Sequence, residues 1–235
     1  MRSLKKILRK PLTTNRFDAM LCDMDKMTVS LANQITGGLS SPSKMPCYGF
    51  STPPQACITG AKLRKVKGSV CHTCYAFRGH YQFTAVKSAQ ARRLAGLNHP
   101  RWVEAMVYLI DTFEDSGFFR WHDAGDLQSV AHLERIIDVC NHTQNIMHWL
   151  PTREYGIVAD YKAAGGIIPA NLCIRLSAYM MEGKPPTSVA AKLGVQTSGV
   201  SKVGYTCPAS NQGNKCMLCR ACWNTGVENI NYKRH

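Results

Sequence analysis

The sequence is poor in acidic residues and contains no long apolar run. It has 15 aspartate and glutamate residues against 29 lysine and arginine residues, so the formal net charge is +14. The longest apolar run, from Ala105 to Ile110, is far shorter than the ~20 residues that a membrane-spanning helix needs. The basic residues near Met1 are followed by no apolar stretch of the kind that a secretory signal contains. These features argue against the membrane and secreted classes, and we expect a cytoplasmic protein.

What the sequence does contain is enough apolar material for one globular domain and an excess of cysteine. Of the 235 residues, 45% are apolar, which suffices for a buried core. The positive charge predicts attraction to a polyanion, most simply nucleic acid. Eleven cysteines in a protein that is not secreted indicate metal binding rather than disulfides.

The composition divides the chain into four segments. Residues 1–32 are expected to be a basic arm or helix, and residues 33–80 a cysteine-rich loop region with many Gly, Ser and Pro residues. Residues 81–182 carry the regular patterns of a βα core. Residues 183–235 are expected to form a loop followed by a cysteine-rich, zinc-binding end, and the four segments together form one compact domain.

Within the core, apolar periodicity predicts alternating strands and helices. We expect helices over 81–97, 102–113, 130–140 and 154–164, and strands over 117–121, 145–150 and 172–176. Strands that alternate with helices through short connections form parallel sheets with right-handed crossovers. The predicted fold class is therefore α/β, with a parallel βα-repeat core and metal-binding segments before and after it.

Polar sequences follow each predicted strand. They comprise residues 122–129, 151–154 and 175–177. Functional groups of parallel α/β folds gather where the carboxyl ends of the strands meet the following helices. This edge is therefore the predicted active site. Asp126 and Ser129 also suit the N-cap position of a helix, where a side-chain oxygen accepts a hydrogen bond from a main-chain N–H of the first turn.

The cysteines near the end of the sequence have the spacing of a metal site. Cys207, Cys216, Cys219 and Cys222 follow the pattern C-x8-C-x2-C-x2-C, and four thiolates complete a tetrahedral zinc site. His235 is a substitute ligand. The same spacing also suits an iron–sulfur cluster.

A second set of cysteines lies in the loop region. Cys47, Cys57, Cys71 and Cys74 follow the pattern C-x9-C-x13-C-x2-C, and the long intervening loop carries several basic residues. His72 and His80 are alternative ligands. We therefore expect one or two zinc ions in the protein, with an iron–sulfur cluster as the alternative.

Three motifs in order resemble the tRNA-guanine transglycosylase superfamily. They are the segment from Asp123 to Gln128, the segment Leu150-Pro151-Thr152-Arg153, and the cysteines at 207–222. The chain also looks like the small phage proteins of the DNA 7-deazaguanine transglycosylase (DpdA) group. It departs from the superfamily in its short length and in having Met147 where the family has its aspartate nucleophile.

The resemblance implies a trimmed TIM-like barrel that exchanges guanine for a free 7-deazaguanine base, in DNA or alternatively in tRNA. If the protein is phage-encoded, it would work in the host cytoplasm. Such exchange needs a carboxylate to attack the sugar and a second group to handle the proton of the base. The catalytic candidates are Asp123, Asp126 and Glu154. The candidates for substrate binding are His122, Gly125, Gln128, Arg153, Arg175 and Ser177.

Two other classes of protein fit the charge and the cysteines. One is a zinc-dependent nucleic-acid-binding protein without catalysis, although it leaves the polar sequences along one edge of the sheet unexplained. The other is an iron–sulfur enzyme that acts on nucleic acid, which would absorb visible light through its thiolate-bound cluster.

Overall fold

A computed structural model describes residues 27–204 and 206–234. They form a mixed α/β fold with one sheet of six parallel strands, which confirms the predicted class. The strands are β1 (Gly49–Phe50), β2 (Phe118–Trp121), β3 (Met147–Thr152), β4 (Leu172–Ser177), β5 (Gln196–Ser201) and β6 (Asn229–Lys233). The α-helices are α1 (Val29–Thr36), α2 (Ile58–Leu63), α3 (Thr84–Gly96), α4 (Trp102–Phe113), α5 (Val130–His142), α6 (Tyr155–Ala163) and α7 (Thr187–Leu193).

The strands lie in the sheet in the same order as in the sequence, from β1 to β6. Each pair is parallel, so the chain returns to the amino edge of the sheet between successive strands. Among the described residues, β1 and β6 each pair with one strand only. The sheet therefore has two free edges and is not a closed barrel.

One face of the sheet packs against helices to form the main core. Alternate side chains of β2 to β4, such as Phe119, Leu150 and Ile174, are buried among residues of α1, α4 and α5. The apolar residues of α4 recur at helical spacing, and seven of its twelve residues are buried. None of the described helices has the length and apolar character needed to cross a bilayer.

The connection between β5 and β6 covers the opposite face of the sheet. Its short 3₁₀ helix, Ala221–Trp223, places the buried Trp223 against Trp149 of β3, with ring centroids 5.3 Å apart. The Trp223 indole N–H donates to the carbonyl oxygen of Phe119 at 2.8 Å. The cysteine-rich end of the chain is therefore part of the fold rather than an appended module.

Two segments that were predicted to be loops contain regular structure. Residues 33–60 include the end of α1, all of β1 and the start of α2, and residues 183–206 include α7 and β5. The predicted core of 81–182 thus contributes only the three central strands of the sheet. Most of the predicted basic arm, residues 1–26, lies outside the described residues, as does His235.

Candidate active site

A cavity of about 1370 Å³ lies at the carboxyl edge of the sheet. Residues from the ends of β1 to β6 or from the loops that follow them line it, because the carboxyl ends of parallel strands meet at one edge. Six of the predicted site residues are on its wall: His122, Asp123, Gly125, Asp126, Arg153 and Ser177. Gln128, Glu154 and Arg175 are not among the lining residues.

Two hydroxyl groups from other parts of the chain hold the carboxylate of Asp123. Ser40 Oγ donates to Oδ1 at 2.9 Å, and the Tyr81 hydroxyl donates to Oδ2 at 3.0 Å. The Tyr75 hydroxyl donates to the main-chain carbonyl of Asp123. The side chain is 5% exposed, so its position on the cavity wall is fixed by these partners.

Asp126 is bound to the end of β3. Its Oδ1 accepts from the Thr152 hydroxyl at 2.6 Å and from the Leu127 N–H at 2.9 Å, and Oδ2 accepts from the Arg153 N–H at 2.9 Å. Burial raises the pKa of Asp126 to about 6, although these hydrogen bonds oppose the rise. The arrangement joins the loop after β2 to the loop after β3. It does not cap a helix, because α5 begins at Val130 and Ser129 caps it.

Glu154 faces the loop after β1 rather than the cavity. Both of its carboxylate oxygens accept from Thr59, one from the main-chain N–H and one from the hydroxyl, each at 2.7 Å. Thr59 lies in the first turn of α2, which begins directly after Cys57. The three predicted catalytic carboxylates therefore have three separate sets of donors, and Glu154 positions the cysteine-bearing loop.

Gly125 allows the loop after β2 to touch the end of β1. Its φ is +82°, and a Cβ at this position would stand 1.9 Å from Thr52 Oγ1 and 2.7 Å from the Thr52 carbonyl oxygen. The Thr52 N–H donates to the Ala124 carbonyl at 3.0 Å. Only glycine fits such a left-handed backbone with so close a neighbour.

His122 is buried on the cavity wall in a left-handed backbone conformation. Its φ is 54° and its side chain is 3% exposed. Neither ring nitrogen has a hydrogen-bond partner among the described residues. Burial keeps the pKa of His122 well below its ordinary value, so the imidazole is neutral.

Arg175 and Gln128 have structural roles instead of the predicted binding roles. The guanidinium of Arg175 is fully buried and donates to five main-chain carbonyl oxygens, which belong to Thr197, Ala221, Cys222, Asn224 and Val227. It is therefore not available to a phosphate. The Gln128 amide donates to the carbonyl of Asp126 at 2.7 Å and stabilises the loop after β2.

The cavity wall carries three cysteines of the predicted second metal set: Cys57, Cys71 and Cys74. A Cβ at Gly60 would stand 3.6 Å from Cys57 Sγ and 3.7 Å from Cys71 Sγ. Burial raises the pKa of Cys57 to about 12, and the charges of Asp126, Cys71 and Cys74 raise it further. These three thiols are therefore close neighbours.

Cys47 does not belong to that group. It lies with Cys207 and Cys222 in a separate apolar cluster around Trp149 and Trp223. Across the described residues no three Cys, His, Asp or Glu side chains converge to metal-binding distances, and all ten described cysteines are free thiols. The predicted second set is thus divided between two places in the fold.

Sequence reasoning missed several of the residues that position this site. Ser40, Thr52 and Thr59 are short polar residues of the loop region, and nothing in their local sequence indicates their partners. The hydroxyl groups of Tyr75 and Tyr81 both hold Asp123. Arg120 of β2 also lines the cavity, with its guanidinium 4.5 Å from the Trp149 ring centroid.

The fold and the cavity define an open parallel α/β protein with a thiol-bearing site at the carboxyl edge of its sheet. The family model described as gene product 88 matches residues 19–192. The chain belongs to the gene product 88 family. No curated protein and no solved structure is similar enough to this chain to count as a match.

Proposed function

We propose that this protein is an iron–sulfur enzyme that acts on nucleic acid, with its cluster held by Cys57, Cys71 and Cys74. The observation that carries the proposal is the position of these three thiols on the cavity wall, in the loop after β1. They share the wall with polar groups from the ends of the five other strands.

The donor set fits a cluster better than a closed zinc site. Structural zinc takes four protein ligands, and Cys47, the fourth cysteine of the predicted set, lies elsewhere. Nδ1 of His72, one alternative ligand, is hydrogen-bonded to the Arg64 carbonyl at 3.0 Å. Three thiolates are enough for a [4Fe–4S] cluster in which the remaining iron takes a ligand from the cavity.

Of the charged residues around the thiols, Arg153 would stabilise a thiolate cluster, whereas the carboxylates of Asp126 and Glu154 oppose it. Burial raises the pKa of Cys71, and the nearby positive charge of Arg153 opposes that rise. A [4Fe–4S] cluster with three thiolates carries net negative charge, which Arg153 would partly balance. Glu154 keeps Cys57 in place through Thr59. The carboxylates on this edge therefore act by positioning the loop and not as metal ligands.

An open iron beside a large cavity supports one-electron chemistry on a bound cosubstrate. S-adenosylmethionine is the cosubstrate of this chemistry that we propose, because its amino and carboxylate groups would bind the open iron. A reduced cluster held by Cys57, Cys71 and Cys74 would supply one electron to this cosubstrate, whose bond between the sulfonium sulfur and the 5′ carbon would break to give methionine and a carbon radical able to take a hydrogen atom from the substrate.

The size and charge of the surface favour a nucleic-acid substrate. The cavity of about 1370 Å³ exceeds the ~300–1,000 Å³ of ordinary ligand pockets, which leaves room for a flipped-out nucleotide beside a cosubstrate. Exposed Lys62, Lys65 and Lys67 lie on the loop between Cys57 and Cys71. The open sheet would then serve as an incomplete barrel whose free edges leave the cavity accessible to a polymer.

Exchange of guanine for a 7-deazaguanine base is a second candidate function. It is favoured by the Asp123 carboxylate, which lies on the cavity wall and is held there by Ser40 and Tyr81. It needs no metal among the cavity cysteines. The two candidates are therefore separable by metal content and by product.

The test is anaerobic purification and reconstitution with iron and sulfide. We expect about four irons per chain and a broad absorbance at about 400 nm, both lost in Cys57→Ser and Cys71→Ser. Cys140→Ser is the matched control, because Cys140 is a buried cysteine of α5 within the main core, which contains no other cysteine of the described residues. With dithionite and S-adenosylmethionine, the reconstituted protein should release methionine and 5′-deoxyadenosine.

Other outcomes would overturn the proposal. Iron that survives Cys57→Ser would show that these thiols do not hold the cluster. Zinc at the same thiols would indicate hydrolytic chemistry, since three protein ligands and a water form a catalytic zinc site. A parallel reaction with labelled 7-deazaguanine and either DNA or tRNA tests base exchange. Label that enters one of them in the absence of iron, and not with Asp123→Asn, would establish that alternative.

A further inference from the structure

The cysteines outside the cavity form a second group that brings together distant parts of the sequence. Its members are Cys47, Cys207, Cys216, Cys219 and Cys222. Cys47 precedes β1, whereas the others belong to the connection between β5 and β6. The sulfur atoms of these described cysteines do not converge to metal-binding distances in this structure, and we propose that Cys47, Cys207, Cys216 and Cys219 turn their side chains onto a structural zinc ion and that Cys222 is not a ligand.

Main-chain contacts place Cys216 beside the segment that carries Cys47. The Cys216 N–H donates to the Lys44 carbonyl oxygen at 3.1 Å, and Cys216 Sγ lies 3.9 Å from Met45 Sδ. Cys47 is 7% exposed and packs in the same apolar cluster as Cys207. The fold thus supplies a fourth thiol that the spacing of the late cysteines does not reveal.

The chain between Cys216 and Cys219 forms a tight turn suited to two ligands of one ion. The Cys219 N–H donates to the Cys216 carbonyl at 2.9 Å, and Met217 has a left-handed backbone with a φ of 44°. Leu218, at the tip of the turn, is 94% exposed. A C-x2-C turn of this kind directs two sulfur atoms toward one ion.

Cys222 is engaged in holding the segment onto the sheet. Its Sγ lies 3.3 Å from the Tyr232 hydroxyl, and its carbonyl oxygen accepts from Arg175 Nε at 3.0 Å. The neighbouring Trp223 is buried against Trp149. The proposed ligand set therefore differs from the set predicted from spacing in one position, with Cys47 in place of Cys222.

Two positive charges lie near the proposed ligands. Arg120 Nη1 lies 3.6 Å from Met45 Sδ, which is itself 3.9 Å from Cys216 Sγ. The Arg220 guanidinium lies 5.1 Å from the ring centroid of Phe118, which packs in the same apolar cluster as Cys47. Zinc with four thiolates carries a net charge of about −2, which the two guanidinium groups would offset.

Metal analysis of the holoprotein tests the site separately from the cavity cluster. We expect one zinc per chain, lost in Cys47→Ser and Cys219→Ser without loss of iron. Cys222→Ser should retain the zinc, and Cys57→Ser should lose iron and retain zinc. Zinc X-ray absorption of the wild-type protein should show four sulfur ligands at about 2.3 Å.

A second variant covers the case in which Cys47→Ser does not fold. Cys47→His retains a ligand, so the zinc shell should change to three sulfur atoms and one nitrogen. Removal of the zinc from the wild-type protein should also shift tryptophan fluorescence to the red, because the segment that covers Trp149 and Trp223 is released. The proposal is overturned if the position-47 variants keep full zinc occupancy with the same four sulfur ligands as the wild-type protein. It is also overturned if Cys222→Ser loses zinc, or if iron occupies this site.

Discussion

Glu154 accepts two hydrogen bonds from the single residue Thr59, both at 2.7 Å. The two residues are 95 positions apart in the sequence. The contact joins the loop after β3 to the first turn of α2, directly beyond Cys57. A carboxylate that the sequence places among the catalytic candidates thus sets the position of a cavity thiol.

Loss of this contact should weaken the cysteine loop. Glu154→Gln keeps the size of the side chain but removes the charge and one of the two acceptor oxygens. We expect the free energy of unfolding to fall by about 2 kcal/mol, the value of hydrogen bonds to a buried charge. Iron retained after reconstitution should fall several-fold. Glu134→Gln, on an exposed position of α5, is the control and should change neither quantity.

Gly125 should tolerate no side chain. A Cβ would overlap Thr52, and the φ of +82° is unfavourable for other residues. We expect Gly125→Ala to lower the free energy of unfolding by about 3 kcal/mol in urea titrations. Gly156→Ala is the matched control in α6, where nothing lies within 4 Å of the new methyl group. It should leave stability unchanged or raise it by up to about 1 kcal/mol.

Buried histidines should make the protein sensitive to mild acid. Burial lowers the pKa of His148 to about 3 and that of His132 to about 4, from an ordinary value of 6.5. The folded state keeps both rings neutral, whereas the unfolded chain takes up protons below pH 6.5. Stability is therefore complete above that pH and decreases as the pH falls toward 4 and then 3. At pH 5, protonation of each histidine in the unfolded chain should lower the free energy of unfolding by about 2 kcal/mol.

Urea titrations between pH 5 and pH 8 measure this dependence. His148→Asn should have a flatter profile than the wild-type protein, because it removes one of the three proton uptakes, which belong to His122, His132 and His148. His80→Asn, at an exposed position, should keep the wild-type slope. A slope that His148→Asn leaves unchanged would contradict the assignment.

The basic loop between Cys57 and Cys71 should contact phosphates. The double variant Lys65→Gln/Lys67→Gln should bind nucleic acid with a weaker dependence on salt. The slope of the logarithm of the binding constant against the logarithm of salt concentration should fall in magnitude by about 0.9 for each lysine that touches a phosphate. The control pair is Lys162 and Lys192, which end α6 and α7. These helix ends lie at the amino edge of the sheet, away from the cavity. An equal effect of both pairs would indicate non-specific attraction alone.

The central strands were predictable and the outer strands were not. β2, β3 and β4 are largely buried and rich in apolar residues, as expected for the middle of a parallel sheet. β5 has the sequence QTSGVS, which carries no apolar pattern. It is a strand because β4 and β6 provide hydrogen-bond partners on both sides. Its neighbours in the fold, and not its own residues, determine its conformation.

The candidate site likewise has one part that the sequence predicts and another that it does not. The carboxyl edge was predictable, because it follows from strand direction alone. The role of each carboxylate depends on donors such as Ser40 and Thr59, which are distant in the sequence. Cysteine spacing likewise reveals local turns, as between Cys216 and Cys219, but it does not reveal that Cys47 lies nearby. Partners brought together only by folding leave no local pattern.

The five carbonyl acceptors of Arg175 have a consequence for the order in which the chain is made. Four of them lie between Ala221 and Val227, which follow β1 to β5 in the sequence. Until they are made, a guanidinium group on a central strand lacks these four acceptors, and its burial there is unfavourable. The nascent sheet therefore stays incomplete until the segment from Ala221 to Val227 has been translated. A chain that stops before this point would expose a positive charge where the finished protein is closed, which marks it as incomplete.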